Sequence, residues 1–431
     1  MKKILIITYY WLPSGGSGVQ RWVKFTKYLR KFGVEPVIYV PENPEYPSID
    51  HSMDSDIPSD ITILKRPIWE PYNIYRKLIG KKGEAINAGF ISEKSQASWK
   101  DRLSIWIRGN FLIPDPRVFW IRPSVKFLSK YITENDIDTV ITTGPPHSMH
   151  FIGYGLKKKN ASINWIADFR DPWTKIYFYK DLNLSYISDK IHHFLENKIL
   201  QKADKLIVVS NGMKKDFEQQ TSVPITVISN GYDNEQEPTE KGALDTKFTL
   251  SHIGLLTQKQ NPLLLWKVLK ELCDEFPEFK KKLIIRLVGK IDYPVIESIE
   301  NAGLLDNLEK LSYVPHTEAL KLQQASQVLL LLLVNTPGTE NILTGKLFEY
   351  LNASRPIFCV AHVHGDAATI IRETNAGVVV GFDELDKTKK AMLQYYNLFK
   401  KNELFVESKD IEKYSRENLT KLLVNQIMDK D

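Results

Sequence analysis

The chain has 431 residues, a hydrophobic fraction of 43% and a formal net charge of +6. That length predicts two domains of about 200 residues rather than one core, and an apolar content that includes 9 Trp, 19 Tyr and 19 Phe excludes a disordered chain. With Cys273 and Cys359 as its two cysteines the chain has no disulfide framework and fits a reducing, cytoplasmic setting, while no apolar run approaches the roughly 18 residues of a membrane span.

Lys3 to Tyr10 predicts a buried first strand. Its apolar stretch is short for a signal peptide, and Gly-rich sequence rather than a small-residue cleavage site follows. Pro13-Ser14-Gly15-Gly16-Ser17-Gly18 reads as a loop. Val19 to Phe32 reads as a helix, with Trp22, Phe25, Leu29 and Phe32 at three- and four-residue spacing. Gly33 suits a C-cap, and Glu35 to Val40 the next strand. This is a β–Gly-loop–α–β unit of nucleotide-binding type, in which glycines let backbone N–H groups approach a ligand and the helix start favours an anion. It is a poor dinucleotide fingerprint, because Arg21 stands where the third glycine belongs. A dinucleotide oxidoreductase is correspondingly disfavoured.

Residues 41–60 read as a Pro- and Asp-rich loop. Arg76 to Lys126 is a basic and aromatic insertion with eleven Lys/Arg against four Asp/Glu, among which Trp99, Trp106, Phe111, Phe119 and Trp120 are interleaved. The pattern is compatible with docking on an anionic membrane face or a lipid diphosphate, and equally with a solvated insertion that packs its aromatics inward. No recognition motif supports nucleic acid as a partner.

The βα rhythm resumes at Asp138 to Thr143, followed by Gly144-Pro145-Pro146-His147-Ser148-Met149-His150. His147 and His150 are spaced to share a helix face at a strand end, suited to hydrogen bonding a sugar or phosphate. No third ligand for a metal stands near them. Ile163 to Asp168 is another strand, and Asp168, Arg170 and Asp171 crowd its end as an internal salt bridge or an acceptor-orienting cluster. Lys205 to Ser210 and Ile225 to Ile228 complete the half.

Tyr232 to Thr246 reads as a linker, so the domains are drawn as 1–235, with the insertion at 76–126, and 236–431 including the C-terminal helices. In the second half Phe248 to Ile253, Leu283 to Val288, Lys310 to Val314, Gln327 to Val334, Pro356 to Val360 and Gly377 to Val380 read as strands with helices between. The fold class is α/β: two facing Rossmann-like domains with a ligand cleft between them. After the first of these strands Lys259 precedes Pro262, which fits a helix start. After Gln327 to Val334 come Glu340, Asn341, Thr344, Gly345, Lys346 and Glu349, placing acids and a lysine where a buried strand ends and a helix begins. Ligands of doubly wound sheets bind there. Lys259 and Lys346 together suit a diphosphate.

Several stretches resemble, in order and spacing, the GT-B glycosyltransferases of the large retaining family 4. They are the Gly-rich loop, Ala203-Asp204-Lys205-Leu206-Ile207-Val208-Val209-Ser210, Ile228-Ser229-Asn230-Gly231-Tyr232-Asp233, and Gly345-Lys346-Leu347-Phe348-Glu349-Tyr350-Leu351 with Arg355-Pro356. The resemblance implies a GT-B fold, a nucleotide-diphosphate sugar as co-substrate in the C-terminal domain, and an acceptor in the N-terminal one. It implies that Glu349 accepts hydrogen bonds from the ribose hydroxyls and that Lys346 and Lys259, with Thr344 and Gly345 beside them, neutralise the diphosphate. Gly15 and Gly16 would reach the sugar or diphosphate. His147 lies in the loop from which such enzymes present a sugar-contacting histidine, His150 is an equal contender, and Arg170 and Asp171 fall on the acceptor side. The family pairs two glutamates eight positions apart. Here Asn341 stands eight before Glu349 and Glu340 nine before it, so either Asn341 replaces the first acid or a loop shift lets Glu340 serve. Leu255 stands where the family has an arginine.

The resemblance further implies front-face transfer with retention, in which the departing phosphate takes the acceptor's proton. Neither a protein nucleophile, a permanently bound cofactor nor a metal is then needed. The expected function is sugar transfer to a saccharide or lipid-linked acceptor in cell-surface polysaccharide synthesis, by a cytoplasmic protein peripheral to the inner membrane face. The alternatives are a nucleotide-sugar epimerase of the same build and a non-catalytic sugar-binding protein.

Overall fold

The computed structural model describes residues 1–46, 49–71, 99–233 and 243–429. Within it the chain forms two compact units, Met1–Ser229 with Arg416–Asp431, and Asn230–Ser415.

In the first unit β1 (Lys2–Ile7) leads into α1 (Ser17–Leu29), β2 (Val34–Pro41) and β3 (Thr62–Arg66). Then come α2 (Trp99–Phe111), α3 (Val118–Glu134), β4 (Thr139–Gly144), α4 (Ser148–Lys159), β5 (Asn164–Phe169), α5 (Tyr186–Lys202), β6 (Lys205–Val208), α6 (Asn211–Glu218) and β7 (Ile225–Val227). The sheet order is β3-β2-β1-β4-β5-β6-β7, with parallel pairing throughout. Alternate residues of each strand face opposite sides of a sheet. Leu5 and Ile7 accordingly join one core, with Trp165 and Trp120, while Ile4 and Ile6 join another with Trp22 and Val23. Strands buried on both faces need near-continuous apolar sequence, which is why Ile4 to Ile7 shows no polar alternation.

The second unit contains β8 (Phe248–Ile253), α7 (Leu263–Glu275), α8 (Pro277–Lys282), β9 (Leu283–Val288), α9 (Tyr293–Asn301), β10 (Leu308–Leu311) and α10 (His316–Ala325). It continues with β11 (Val328–Leu332), α11 (Gly345–Asn352), β12 (Ile357–Val360), α12 (Asp366–Glu373), β13 (Gly377–Val380) and α13 (Leu385–Lys400). Its parallel order is β10-β9-β8-β11-β12-β13, the doubly wound arrangement in which strand order reverses between the first and fourth strands. Leu330 and Leu332 pack into one core with Trp266 and Phe358, and Leu329 and Leu331 into another with Phe348 and Tyr350. Both cysteines are buried thiols.

The last helix departs from the domain division drawn from sequence. The linker reading assigned 236–431 to the second domain, but α14 (Arg416–Met428) returns to the first unit. Its Leu419, Leu423, Val424 and Ile427 share the core of Val19, Trp22 and Val23. Lys2 Nζ donates to the Ile427 carbonyl at 3.0 Å and Thr226 Oγ1 to Gln426 Oε1 at 2.9 Å. An amphipathic helix carries an apolar stripe, and the stripe does not say which sheet it covers. β3 was also outside the predicted strands, being a short, partly exposed edge strand.

Candidate functional site

In the second unit the reversal of strand order lies between β8 and β11, and both carboxyl ends open onto one set of loops. After β8, Gly254 adopts φ +118°, a conformation L side chains rarely take. A Cβ there would also lie 3.1 Å from Lys346 Cε. The following turn is tied over β11, with Gln260 Nε2 donating to the Leu332 carbonyl at 3.0 Å and Asn335 N to the Lys259 carbonyl at 3.5 Å. Lys259 itself is exposed, so the structure places it at the rim of these loops.

Lys346 rises from the first turn of α11. Its Nζ donates to the Leu255 carbonyl at 2.8 Å and to His252 Nε2 at 3.0 Å. The ammonium of α11 thus sits on the backbone carbonyl of Leu255. Burial pushes its pKa down to about 8, with Glu349 opposing. Glu349 follows three positions later, on the same helix face. It is half-buried, and its Oε2 accepts from Gln323 Nε2 of α10 at 3.1 Å. Tyr350 OH accepts from Ile253 N at 3.0 Å, tying α11 to the end of β8. Thr344 is the N-cap of α11 without a side-chain cap bond, and its buried Oγ1 has no hydrogen-bond partner among the described residues. Gly345 opens the helix. Glu340 is exposed, with its carbonyl accepting from Asp366 N of α12 at 3.0 Å, and Asn341 is half-buried. The predicted lysine and glutamate are therefore brought together. Sequence reasoning missed their partners His252 and Gln323; a lone histidine at the end of an apolar strand was the available signal for the first.

In the first unit the corresponding reversal lies between β1 and β4. Buried Gly15 and exposed Gly16 lead into α1, where Gly16 is an N-cap without a side chain to cap with. Arg21 is fully buried. Its Nη2 and Nε donate to Asp168 at 2.9 and 3.3 Å and its Nη1 to the Ser229 carbonyl at 2.9 Å. Trp22 Nε1 and Thr143 Oγ1 each donate to the same carboxylate at 2.8 Å. Of the two readings of the strand-end cluster, Asp168 takes the internal salt bridge.

Arg170 donates from Nε to the Gly144 carbonyl at 3.3 Å and from Nη2 to that of Pro145, so it braces the histidine loop; Asp171 is exposed. His150 is fully buried, its Nδ1 3.0 Å from Thr142 Oγ1 and its ring stacked on Phe169. His147 stacks on Trp173 with centroids 4.6 Å apart. Trp173 is fixed by α5, donating from Nε1 to His192 Nδ1 at 3.1 Å and from its backbone N to Glu196 at 3.2 Å. His147 Nδ1 and His150 Nε2 are buried without hydrogen-bond partners among the described residues. They converge on Gly144, lying 3.2 and 2.6 Å from where a Cβ would stand, so any side chain there would fill the space they face. Burial lowers both imidazole pKa values, His150 to about 3, and keeps the rings neutral.

Arg76, Lys77, Lys81, Lys82 and Lys94 of the basic insertion lie outside the described residues. No described helix is long and apolar enough to cross a membrane.

Residues 90–236 match the family model described as Glycosyltransferase Family 4. No match is found among curated proteins. Similar solved structures include sucrose-phosphate synthase from Thermosynechococcus elongatus, 12% identical with a TM-score of 0.59 over 99% of this chain and 98% of that one. A variant of S. aureus TarM, in complex with Fondaparinux, alpha-GlcNAc-glycerol and UDP, is 13% identical with a TM-score of 0.58 over the whole of both chains. UDP-GlcNAc 2-epimerase from Methanocaldococcus jannaschii is 11% identical with a TM-score of 0.51 over 99% of both. The fold is GT-B, and the chain resembles the family 4 glycosyltransferases of that fold.

Proposed function

We propose that the protein transfers a sugar from a nucleotide-diphosphate sugar to a saccharide or lipid-linked acceptor, with retention. The observation that carries this is the pairing on α11 of Lys346, whose ammonium is held at the carboxyl end of β8, with Glu349 one turn along, held by Gln323. The glutamate binds the ribose hydroxyls through the carboxylate oxygen that Gln323 leaves free. The ammonium faces the diphosphate, with Thr344, Gly345 and Lys259 around it, and stabilises the leaving group's charge in a preorganised position. Glu340 or Asn341 engages the donor sugar. In the first unit, the unpartnered nitrogens of His147 and His150 are groups a hydroxylated substrate would engage. Gly15 and Gly16 approach it through backbone N–H groups, and Arg170 and Asp171 shape the acceptor side.

Glu349→Ala should weaken nucleoside-diphosphate binding about ten- to a hundredfold, the worth of hydrogen bonds to a charged group; titration calorimetry measures it. The reading itself is tested by incubating the protein with a nucleotide-sugar panel without acceptor. Slow release of free sugar supports transfer, an epimerised nucleotide sugar would favour an epimerase, and neither binding nor turnover would end the proposal.

Peripheral membrane association belongs to the same proposal. It is supported by the exposed Tyr186, Ile187 and Phe194 of α5, with Lys190 and Lys198 lying over Tyr186 and Phe194, and by the exposed Phe111 at the end of α2. Aromatic and aliphatic side chains with flanking cations suit an anionic bilayer surface. Ile187→Ser with Phe194→Ser should reduce flotation with anionic vesicles severalfold at low salt; unchanged flotation would remove this element.

A further inference from the structure

His252 occupies the end of β8, fully buried, in a strand whose other inward positions are apolar or hydroxylated. Its Nδ1 lies 3.0 Å from the Leu330 carbonyl of the neighbouring strand β11. A carbonyl only accepts, so Nδ1 carries the proton and Nε2 of the neutral ring presents its lone pair. That lone pair meets Lys346 Nζ at 3.0 Å, and the Leu255 carbonyl meets the same nitrogen at 2.8 Å. Nε2 and the Leu255 oxygen are themselves 3.3 Å apart. Since both are acceptors, they are held side by side by the ammonium they share. Two of the three ammonium protons are thereby fixed, and no hydrogen bond to a described residue takes the third.

We propose that His252 is a positioning residue for the donor site: locked in one tautomer by the Leu330 carbonyl, it holds the Lys346 ammonium with its third N–H aimed at the donor diphosphate. The proposal rests on the donor-site reading above and adds how its cation is set. A flexible lysine acts as a point charge with rotatable donors; two fixed acceptors remove that freedom before the ligand arrives, as outer partners do for metal ligands. The charge environment is consistent. The groups facing Lys346 are His252 from β8 and Glu349 from its own helix. Burial first, and Lys346 second, push the His252 pKa down to about 3, so the ring stays an acceptor throughout the working range. Lys346, at about 8, loses its charge on mild alkalinisation. Affinity for a diphosphate should therefore be full below pH 8 and decline as pH rises through it.

The test measures uridine, guanosine and adenosine diphosphate binding between pH 6.5 and 9.5 for the wild type, His252→Leu, His252→Gln and Lys346→Met. Removing the acceptor destabilises the ammonium, so His252→Leu should weaken binding about tenfold at neutral pH and move the decline to lower pH. His252→Gln, whose amide oxygen can accept, should restore most of the affinity, and Lys346→Met should abolish the decline. If the wild type binds nothing, the donor-site reading fails. If the wild type binds and Lys346→Met loses binding while His252→Leu keeps both affinity and pH profile, the positioning role alone is overturned. Histidine ¹⁵N spectra of the wild type supply a measurement independent of variant folding. His252 should be protonated on Nδ1 with a bare Nε2 whose shift follows the Lys346 titration; the opposite tautomer would contradict the proposal.

Discussion

Asp168→Ala should destabilise the protein by about 3–5 kcal/mol, because it leaves the fully buried Arg21 guanidinium without its counter-charge. For a unit of this size that is a fall of roughly 6–20 °C in melting temperature, read by calorimetry. Trp22 and Thr143 lose an acceptor in the same step, and neither can turn to water. Burial by itself would raise the Asp168 pKa, but the Arg21 charge and the bonds from Arg21, Thr143 and Trp22 outweigh it and hold the carboxyl below its ordinary value. The folded pKa is thus depressed. Its stabilisation is present above the unfolded carboxyl pKa near 4 and is lost as pH falls through the folded value. Acid unfolding of the wild type should show this contribution, and Asp168→Ala should lack it. The pair Arg21→Met with Asp168→Leu should recover part of the loss, since replacing both buried charges costs far less than orphaning one. A melting temperature unchanged by Asp168→Ala would mean that Arg21 finds another partner.

Lys346→Met should lower kcat by about 10²–10³, the effect of removing one preorganised donor from a developing anion, while leaving the fold intact. Methionine fills the lysine's volume, and the variant no longer carries a buried charge whose pKa burial depresses. Removing the ammonium leaves the buried His252 Nε2 and the Leu255 carbonyl as facing acceptors without their shared donor. That costs about 1–3 kcal/mol, which relief of the buried charge offsets in part, so thermal stability should fall modestly while turnover collapses. A collapse of both would show that Lys346 supports the packing of α11 rather than the chemistry. Unchanged kinetics would remove it from the site.

Much of this organisation was legible in the sequence because it follows from periodicity. The run Val328 to Leu333 had to be a strand buried on two faces, and the acids and lysine after it had to fall at a strand's carboxyl end. Arg21 stands where a dinucleotide fingerprint has glycine, and the structure gives that side chain a structural role in its bond to Asp168. What the sequence withheld were contacts between elements far apart in the chain. His252 and Gln323 meet Lys346 and Glu349 across 94 and 26 residues, and neither position carries a local signal of its partner. The C-terminal helix departs from the sequence reading for a related reason: its leucines specify a buried stripe, whereas its choice of sheet depends on distant apolar partners, Val19, Trp22 and Val23 of α1. Leu255 itself carries no charge, but in the folded chain a cation from another element, Lys346, stands at its carbonyl.

A nucleoside diphosphate is expected to bind the second unit at the ends of β8 and β11. Hydrogen exchange of the whole protein with and without uridine, guanosine or adenosine diphosphate tests it most directly. Slowed exchange concentrated in residues 254–261 and 340–350 is the predicted result. Protection confined to the first unit's Gly-rich loop, or no protection with any of the three, would contradict binding at the ends of β8 and β11.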